Sequence, residues 1–147
     1  MSAFYDIQQR NAELFGAFKK AMSQSGITFD QAVEAAINSP TSRYWVSPNY
    51  VYRDIKARLR GYATAYDPSA RRKKVRSCKE TMYDELWELY QKLSEKAYFK
   101  GSSTYFLVSF VVNQKAPRFY LSHRQGLSII RKMLKENRSR MNINRDR

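Results

Sequence analysis

The chain has 147 residues, of which 43% are apolar, and it carries 27 Lys and Arg against 13 Asp and Glu, a net charge of +14. This length fits one ordinary domain or two very small ones, and the apolar content excludes a fully disordered chain. The single cysteine, Cys78, excludes an internal disulfide framework and is typical of a reducing compartment. No segment is apolar enough to span a membrane and no secretory signal is visible, so we expect a cytoplasmic protein.

The first two predicted helices follow clear sequence signals. Residues 4–22 place apolar side chains on one helical stripe, namely Ile7, Leu14, Phe15, Phe18 and Met22. Residues 28–38 open with Thr28 three positions before Gln31, which is the pattern of a capping box. Both segments are therefore predicted to be amphipathic helices.

The segment SRYWVS, residues 42–47, leads into a third helix, for which Ser47 is a favourable N-cap and Pro48 a favourable first residue. Its three bulky apolar residues have two interpretations. They fill the core between the helices, or one ring stacks on a nucleic-acid base while Arg43 contacts phosphate. Both can hold, because alternate side chains of an extended segment point in opposite directions.

The same order of signals returns in the second half of the chain. A helix is predicted at residues 78–97, with Ser77 and Glu80 as its capping box. A later helix has Ser122 as its N-cap and Gln125 three residues on. It follows the segment PRFYLS, which resembles SRYWVS in its arginine, its two aromatic residues and its final serine.

An ungapped shift of 75 positions aligns residues 26–60 with residues 101–135. Unrelated sequences would share roughly two identities over this length. The alignment gives these identical pairs: Gly26/Gly101, Val33/Val108, Asn38/Asn113, Arg43/Arg118, Ser47/Ser122, Ile55/Ile130 and Leu59/Leu134. The excess indicates an internal repeat.

The repeat predicts an all-α fold of two tandem three-helix repeats, loosely helix-turn-helix-like and packed together. The copies are residues 1–66 and 78–138, with a basic linker at 67–77 and a flexible basic tail at 139–147. The β-branched and aromatic run at 103–113 looks like a strand, but its equivalent in the first copy is helical. We therefore predict a helix there as well.

Basic residues recur at helical spacing on the third helix of each copy, away from the apolar stripe. We interpret them as phosphate contacts, although a solvated basic face would look similar. The linker run RRKKVRSCK is the densest part of the positive charge, and a polyanion such as nucleic acid would relieve the self-repulsion of that charge. The predicted nucleic-acid-binding residues are Arg43, Arg53, Lys56, Arg60, Arg71, Arg72, Lys73, Lys74, Arg118, Arg124, Arg131 and Lys135.

Other chemistry has little support in the sequence. His123 is the only histidine and lies at a helix start, and Cys78 has no companion for metal binding or nucleophilic catalysis. No glycine-rich phosphate loop is present. About eight residues separate the second and third helices of the first copy, whereas the standard helix-turn-helix has three to four. We expect neither an enzyme nor a metal or cofactor site.

The motifs INSPTSRYWVS and VVNQKAPRFYLS resemble those of small uncharacterised helical proteins from mobile elements and phages of gut bacteria. Those proteins show a helix, a proline-containing turn, an Arg-aromatic-aromatic-aliphatic-Ser segment and another helix. The resemblance covers residues 26–60 and 101–135. It implies a genomic setting and no particular activity, and the first copy departs from the pattern in the position of its proline.

The sequence thus favours a non-enzymatic protein that binds DNA or RNA through its third helices and linker. The alternative is a structural or protein-interaction component, phage or mobile-element encoded, that docks a protein partner through aromatic surfaces. A pull-down after nuclease treatment separates the two, because only a protein adaptor keeps its partners. The choice between DNA and RNA, the sequence specificity and the oligomeric state stay open.

Overall fold

A computed structural model describes the backbone of residues 3–61 and 77–145 and the side chains of residues 7–61 and 79–140. Within these ranges the chain forms α-helices, one short 3-10 helix at Ala97–Phe99 and no strand, which confirms the all-α prediction. Of the described helices, none is long and apolar enough to cross a membrane. Their bounds are Ala3–Met22 (α1), Phe29–Ile37 (α2), Pro48–Leu59 (α3), Ser77–Ser94 (α4), Thr104–Val112 (α5) and His123–Arg145 (α6).

Side-chain caps fix where several helices begin, as predicted. Thr28 accepts a hydrogen bond from the Gln31 amide at 3.1 Å, and the Gln31 side chain accepts one from the Thr28 amide at 3.0 Å. Ser122 and Gln125 form the same reciprocal pair at the start of α6, with both distances between 3.0 and 3.1 Å. Ser47 accepts from the amide two residues on, at 3.3 Å. These contacts satisfy amides that have no partner inside the helix. The side chain of Ser77 lies outside the described side chains.

The strand-like segment at residues 103–113 is a helix, as the comparison with residues 28–38 predicts. Ser103 caps α5 by accepting a hydrogen bond from the Phe106 amide at 3.1 Å. The helix buries two adjacent pairs of apolar residues one turn apart: Leu107, Val108, Val111 and Val112. Burial along one helical face therefore overrides the β-propensity of the individual residues.

The described helices pack as two compact units that do not follow the order of the predicted copies. Unit 1 consists of Met1–Thr41 and Pro117–Arg147, and it contains α1, α2 and α6. Unit 2 is Ser42–Ala116 and contains α3, α4 and α5. Each unit thus takes two helices from one predicted copy and the third helix from the other. The packing differs in this respect from two consecutive three-helix domains.

A backbone hydrogen bond from each connector accompanies this exchange of third helices. In unit 2 the Tyr44 amide donates to the Val112 carbonyl at 3.0 Å, at the end of α5. In unit 1 the Phe119 amide donates to the Ile37 carbonyl at 3.0 Å, at the end of α2. A helix end leaves carbonyls without a partner, and each connector satisfies one of them. The two bonds join equivalent positions of the 75-residue alignment.

Other aligned positions share local structure. Gly26 and Gly101 both adopt the left-handed region, at φ 78° and 83°, after the first helix of their respective copies. Asn38 and Asn113 both cap the C-terminus of the next helix, and each side-chain amide donates to the carbonyl four residues earlier. These pairs agree with the alignment, while the repeat itself stays a prediction from sequence.

The last helix is longer than the sequence predicts. α6 runs from His123 to Arg145, whereas a flexible tail is predicted from residue 139. Residues 127–145 contain neither glycine nor proline, so nothing in the backbone chemistry stops the helix earlier. The predicted linker at 67–77 lies outside the described residues, except that Ser77 begins α4.

The core of unit 1 depends on a close approach of α2 and α6. Leu14 and Phe18 of α1, Val33 of α2 and Ile130 of α6 are all buried. Gly126 of α6 lies directly against α2 in this core. A Cβ atom at that position would fall 2.5 Å from the Cγ2 of Ile37, so the absence of a side chain lets the two helices meet.

We expect Gly126→Ala to destabilise unit 1. Overpacking costs about 1–3 kcal/mol, which outweighs the roughly 1 kcal/mol that alanine gains over glycine in a helix. Gly16→Ala is the matched control, because no atom lies within 4 Å of its Cβ position, and it should stabilise α1. Urea denaturation followed by circular dichroism measures both changes. A Gly126→Ala variant that gains as much stability as Gly16→Ala would contradict the contact between α2 and α6.

Candidate nucleic-acid interface

The exposed face of α6 carries a row of cations, which we call the α6 stripe: Arg124, Arg131 and Lys135. Gly126 and Ile130 point into the core of unit 1, and the three stripe residues are exposed. Their spacing of seven and four residues places them on one side of the helix over about 16 Å of its axis. None of the three forms an ion pair with a described side chain.

The basic surface of α6 is broader than the sequence predicts. Residues 123–145 hold seven Lys and Arg against one acidic residue, Glu136. Lys132 and Arg140 are exposed alongside the stripe but were not predicted, and Arg138, which continues the helical spacing of the predicted cations, is exposed as well. Arg140 lies beyond the predicted end of the repeat at residue 138, whereas the helix continues past that point.

A second row of cations, the α3 stripe, consists of Arg53, Lys56 and Arg60. Arg53 and Arg60 are exposed and Lys56 is partly exposed. Two of the cations lie against tyrosine rings of the same helix. The Arg53 guanidinium is 5.5 Å from the centre of the Tyr50 ring, and the Lys56 Nζ is 5.8 Å from the centre of the Tyr52 ring. The α3 stripe thus combines positive charge with aromatic surface, whereas α6 contains no Phe, Trp or Tyr.

The apolar residues of the connectors belong mainly to the cores. Tyr44 is 5% exposed, and Phe119 and Tyr120 are also buried, while Trp45 is partly exposed. Burial, followed by the negative charge of Glu85, raises the pKa of the Tyr44 hydroxyl above its ordinary value. Of the two interpretations of SRYWVS, core filling therefore describes the position of Tyr44.

The two connector arginines cover these rings in the same way. The Arg43 guanidinium lies 5.6 Å from the Trp45 ring centre in unit 2, and the Arg118 guanidinium lies 5.6 Å from the Tyr120 ring centre in unit 1. Arg43 also donates to the Tyr44 carbonyl at 3.2 Å. Both arginines are therefore held beside their connectors and off the two stripes.

The predicted site residues fall into two separate groups. Those numbered 43–60 belong to unit 2 and those numbered 118–135 belong to unit 1, while Arg71, Arg72, Lys73 and Lys74 lie outside the described residues. Each unit is basic by itself. Unit 1 has 12 basic and 6 acidic residues, net +6, and unit 2 has 15 and 7, net +8. Either unit could attract a polyanion without the other.

Arg58 is the basic residue of α3 that turns inward. Its Nε donates to Asp54 Oδ2 at 2.8 Å, and its Nη2 donates to Asp84 Oδ1 of α4, also at 2.8 Å. The guanidinium also lies 6.0 Å from the centre of the Trp87 ring. This side chain links α3 to α4 and is not available to a ligand. The spacing of Asp54 and Arg58, four residues apart on a helix, is the sequence signal for their pairing.

His123 lies between two carboxylates of α2. Its Nδ1 lies 3.0 Å from Glu34 Oε2 and its Nε2 lies 3.6 Å from Asp30 Oδ1, so the ring bridges the first turn of α6 to the exposed face of α2. The equivalent face of α5 in unit 2 carries Tyr105 and Ser109 in place of the two carboxylates. The two units therefore present different chemistry at aligned positions.

Comparisons of the chain with protein-family models, with curated proteins and with solved structures find no match. The geometry and charge of the two stripes are therefore the observations that bear on function.

Proposed function

We propose that the protein is a non-enzymatic nucleic-acid-binding protein that contacts phosphates through the α3 and α6 stripes. One observation carries the proposal: six cations lie on two helical faces turned away from the cores, and none is ion-paired to a described side chain. Arg43 and Arg118 would add charge beside the connectors, and Arg71, Arg72, Lys73 and Lys74 would add affinity that is independent of sequence.

The physical reason is the cost of an uncompensated positive surface. A net charge of +14 on a chain of this length destabilises the compact state by self-repulsion. Phosphates that approach the stripes neutralise this charge and release condensed counterions, which drives association. The binding would be largely independent of sequence, because backbone contacts position a protein without reading bases.

The first test is the salt dependence of binding. Six phosphate contacts predict that the logarithm of the association constant falls with the logarithm of salt concentration with a slope of about −5, a loss of about a thousandfold between 50 and 200 mM salt. Fluorescence anisotropy with labelled duplex DNA and structured RNA measures this slope. Lys135→Gln should reduce the slope by about one, and Lys20→Gln, at an exposed position of α1, should leave it unchanged. Affinity that is flat across this salt range would refute the proposal.

A second function is favoured by exposed aromatic residues elsewhere on unit 2. Tyr98 is 73% exposed, Phe106 is 57% exposed and Phe110 is 39% exposed. The Phe110 ring contacts the buried Phe99 with their centres 5.0 Å apart, so its position is fixed by the core. An ordered apolar surface of this kind suits a structural or interaction component that docks a protein partner. The resemblance to phage and mobile-element proteins is compatible with either function.

A further inference from the structure

Aromatic rings from two helices meet beside the α3 stripe. The Tyr52 ring of α3 packs edge-to-face on the Tyr105 ring of α5, with centres 5.6 Å apart and planes at 66°. Tyr105 is 46% exposed, so one side of this pair faces solvent. The Lys56 ammonium also lies near the Tyr52 ring, which brings a cation, a partly exposed ring and an exposed ring together.

The cations of the α3 stripe lie between rings on both sides. Successive residues of a helix are rotated by about 100°, so the stripe occupies the arc between Tyr52 on one side and Tyr50 on the other. Tyr50 is 57% exposed, and the Arg53 guanidinium lies over its ring. The resulting surface alternates ring, cation and ring, and we call it the α3–α5 face: Tyr50, Tyr52, Arg53, Lys56, Arg60 and Tyr105.

This arrangement matches the chemistry of an unpaired nucleic-acid strand. A single strand offers phosphates along its backbone and unstacked bases on which exposed rings can pack. A duplex offers the phosphates but hides the faces of its bases. An acidic protein segment would satisfy the cations, but it would leave exposed tyrosine rings without flat partners. The alternation of cations and rings therefore favours a single strand over both.

Unit 1 provides an internal contrast. α6 has a cationic stripe but contains no Phe, Trp or Tyr, and the α2 positions aligned with Tyr105 and Phe106 are Asp30 and Gln31. The α6 stripe can therefore contact phosphates but offers no tyrosine ring on which a base could stack. Both units carry net positive charge. The aromatic rings of the α3–α5 face therefore distinguish unit 2 from unit 1, whereas positive charge does not.

We propose that the α3–α5 face binds single-stranded nucleic acid, with bases stacked on Tyr50 and Tyr105 and phosphates held by Arg53, Lys56 and Arg60. The α6 stripe contacts phosphates irrespective of strandedness. This inference rests on the proposed nucleic-acid binding and specifies the form of nucleic acid for one of its two surfaces. Recognition would be tolerant of sequence, because every base has an aromatic face.

The test compares three probes of equal length: an oligothymidylate of about 15 nucleotides, an abasic strand with the same phosphates, and a duplex. The protein should bind the oligothymidylate at least about 10-fold more tightly than the abasic strand, because only the former can stack. The variant Tyr50→Leu/Tyr105→Leu should remove this difference while its affinity for the duplex changes by less than about twofold. Tyr98→Leu, which removes an even more exposed ring that touches no cation of the stripe, should leave all three affinities unchanged.

The outcomes separate the two proposals. Binding to none of the probes would overturn the proposed function itself. Duplex binding together with equal affinity for intact and abasic strands would overturn only the stacking proposal and would favour a protein partner for the aromatic residues. The single variant Tyr50→Leu is the control for misfolding, because the Tyr50 ring is mostly exposed and its loss should not disturb the core. Circular dichroism of this variant should show an unchanged helical signal. An equal loss of affinity in Tyr98→Leu would likewise overturn the assignment to this face.

Discussion

Replacing Arg58 with alanine is expected to lower the free energy of unfolding of unit 2 by about 3–5 kcal/mol. Its guanidinium is 2.8 Å from the Asp54 carboxylate, and the side chains of the two residues are only 9% and 3% exposed. Removing the cation leaves a negative charge in a site that water barely reaches. The replacement also removes the link between α3 and Asp84 of α4. Loss of this side chain should therefore destabilise the unit far more than its position on a basic helix suggests.

Asp84→Ala is the matched control for this variant. It removes the other carboxylate on the same guanidinium, but that side chain is 65% exposed, so we expect a loss of less than about 1 kcal/mol. Urea denaturation followed by tryptophan fluorescence reports on unit 2, because both tryptophans of the chain, Trp45 and Trp87, belong to it. Equal losses in the two variants would contradict a structural role for the buried pair of Asp54 and Arg58.

Local features of the fold follow from the sequence because they depend on neighbouring residues. Thr28 and Gln31 are three positions apart, and their capping box forms as predicted. The helical state of α5 is a harder case, since its residues favour a strand, and it became predictable only through alignment with α2. The alignment thus supplied information that the local composition of residues 103–113 conceals.

The choice of packing partner depends on contacts between distant residues and was not predictable in the same way. Val51 and Ile55 of α3 form an apolar stripe that would fit any complementary pair of helices. In unit 2, α3 packs against α5, and the Tyr44 amide of the connector before α3 donates to the Val112 carbonyl across 68 positions of the chain. No periodicity within residues 26–60 encodes that choice. The consecutive arrangement of copies was therefore the natural expectation from the sequence.

In the candidate site, too, some features could be predicted from the sequence and others depend on tertiary packing. The cations of the two stripes were predicted because helical spacing alone places them opposite the apolar face. The contribution of Tyr105 was not predicted, since it reaches Tyr52 only through the packing of α5 on α3. The inward position of Arg58 likewise depends on Asp84 of another helix. Sequence periodicity therefore locates the charge of this surface, and tertiary packing determines what surrounds it.

Reversing four charges on the stripes should reduce the affinity for nucleic acid by about a thousandfold or more at moderate salt. The variant carries Lys56→Glu, Arg60→Glu, Arg131→Glu and Lys135→Glu, which together change the net charge from +14 to +6. Each substitution removes a cation that we propose contacts phosphate and adds a repulsive carboxylate at the same place. The side chains are exposed or partly exposed and are not ion-paired to described residues, so the fold should persist. Anisotropy titrations against duplex DNA and RNA measure the loss.

A second variant with the same net charge distinguishes the stripes from the overall field of the protein. It reverses four exposed lysines that lie off both stripes: Lys20, Lys92, Lys96 and Lys115. Because the long-range attraction of the two variants is similar, a difference between their affinities reports on local contacts. We expect the off-stripe variant to lose about 10-fold in affinity or less and to keep most of the salt slope, since its phosphate contacts are intact. Equal losses would show that binding follows net charge alone, and an unchanged affinity of the stripe variant would remove α3 and α6 from the interface.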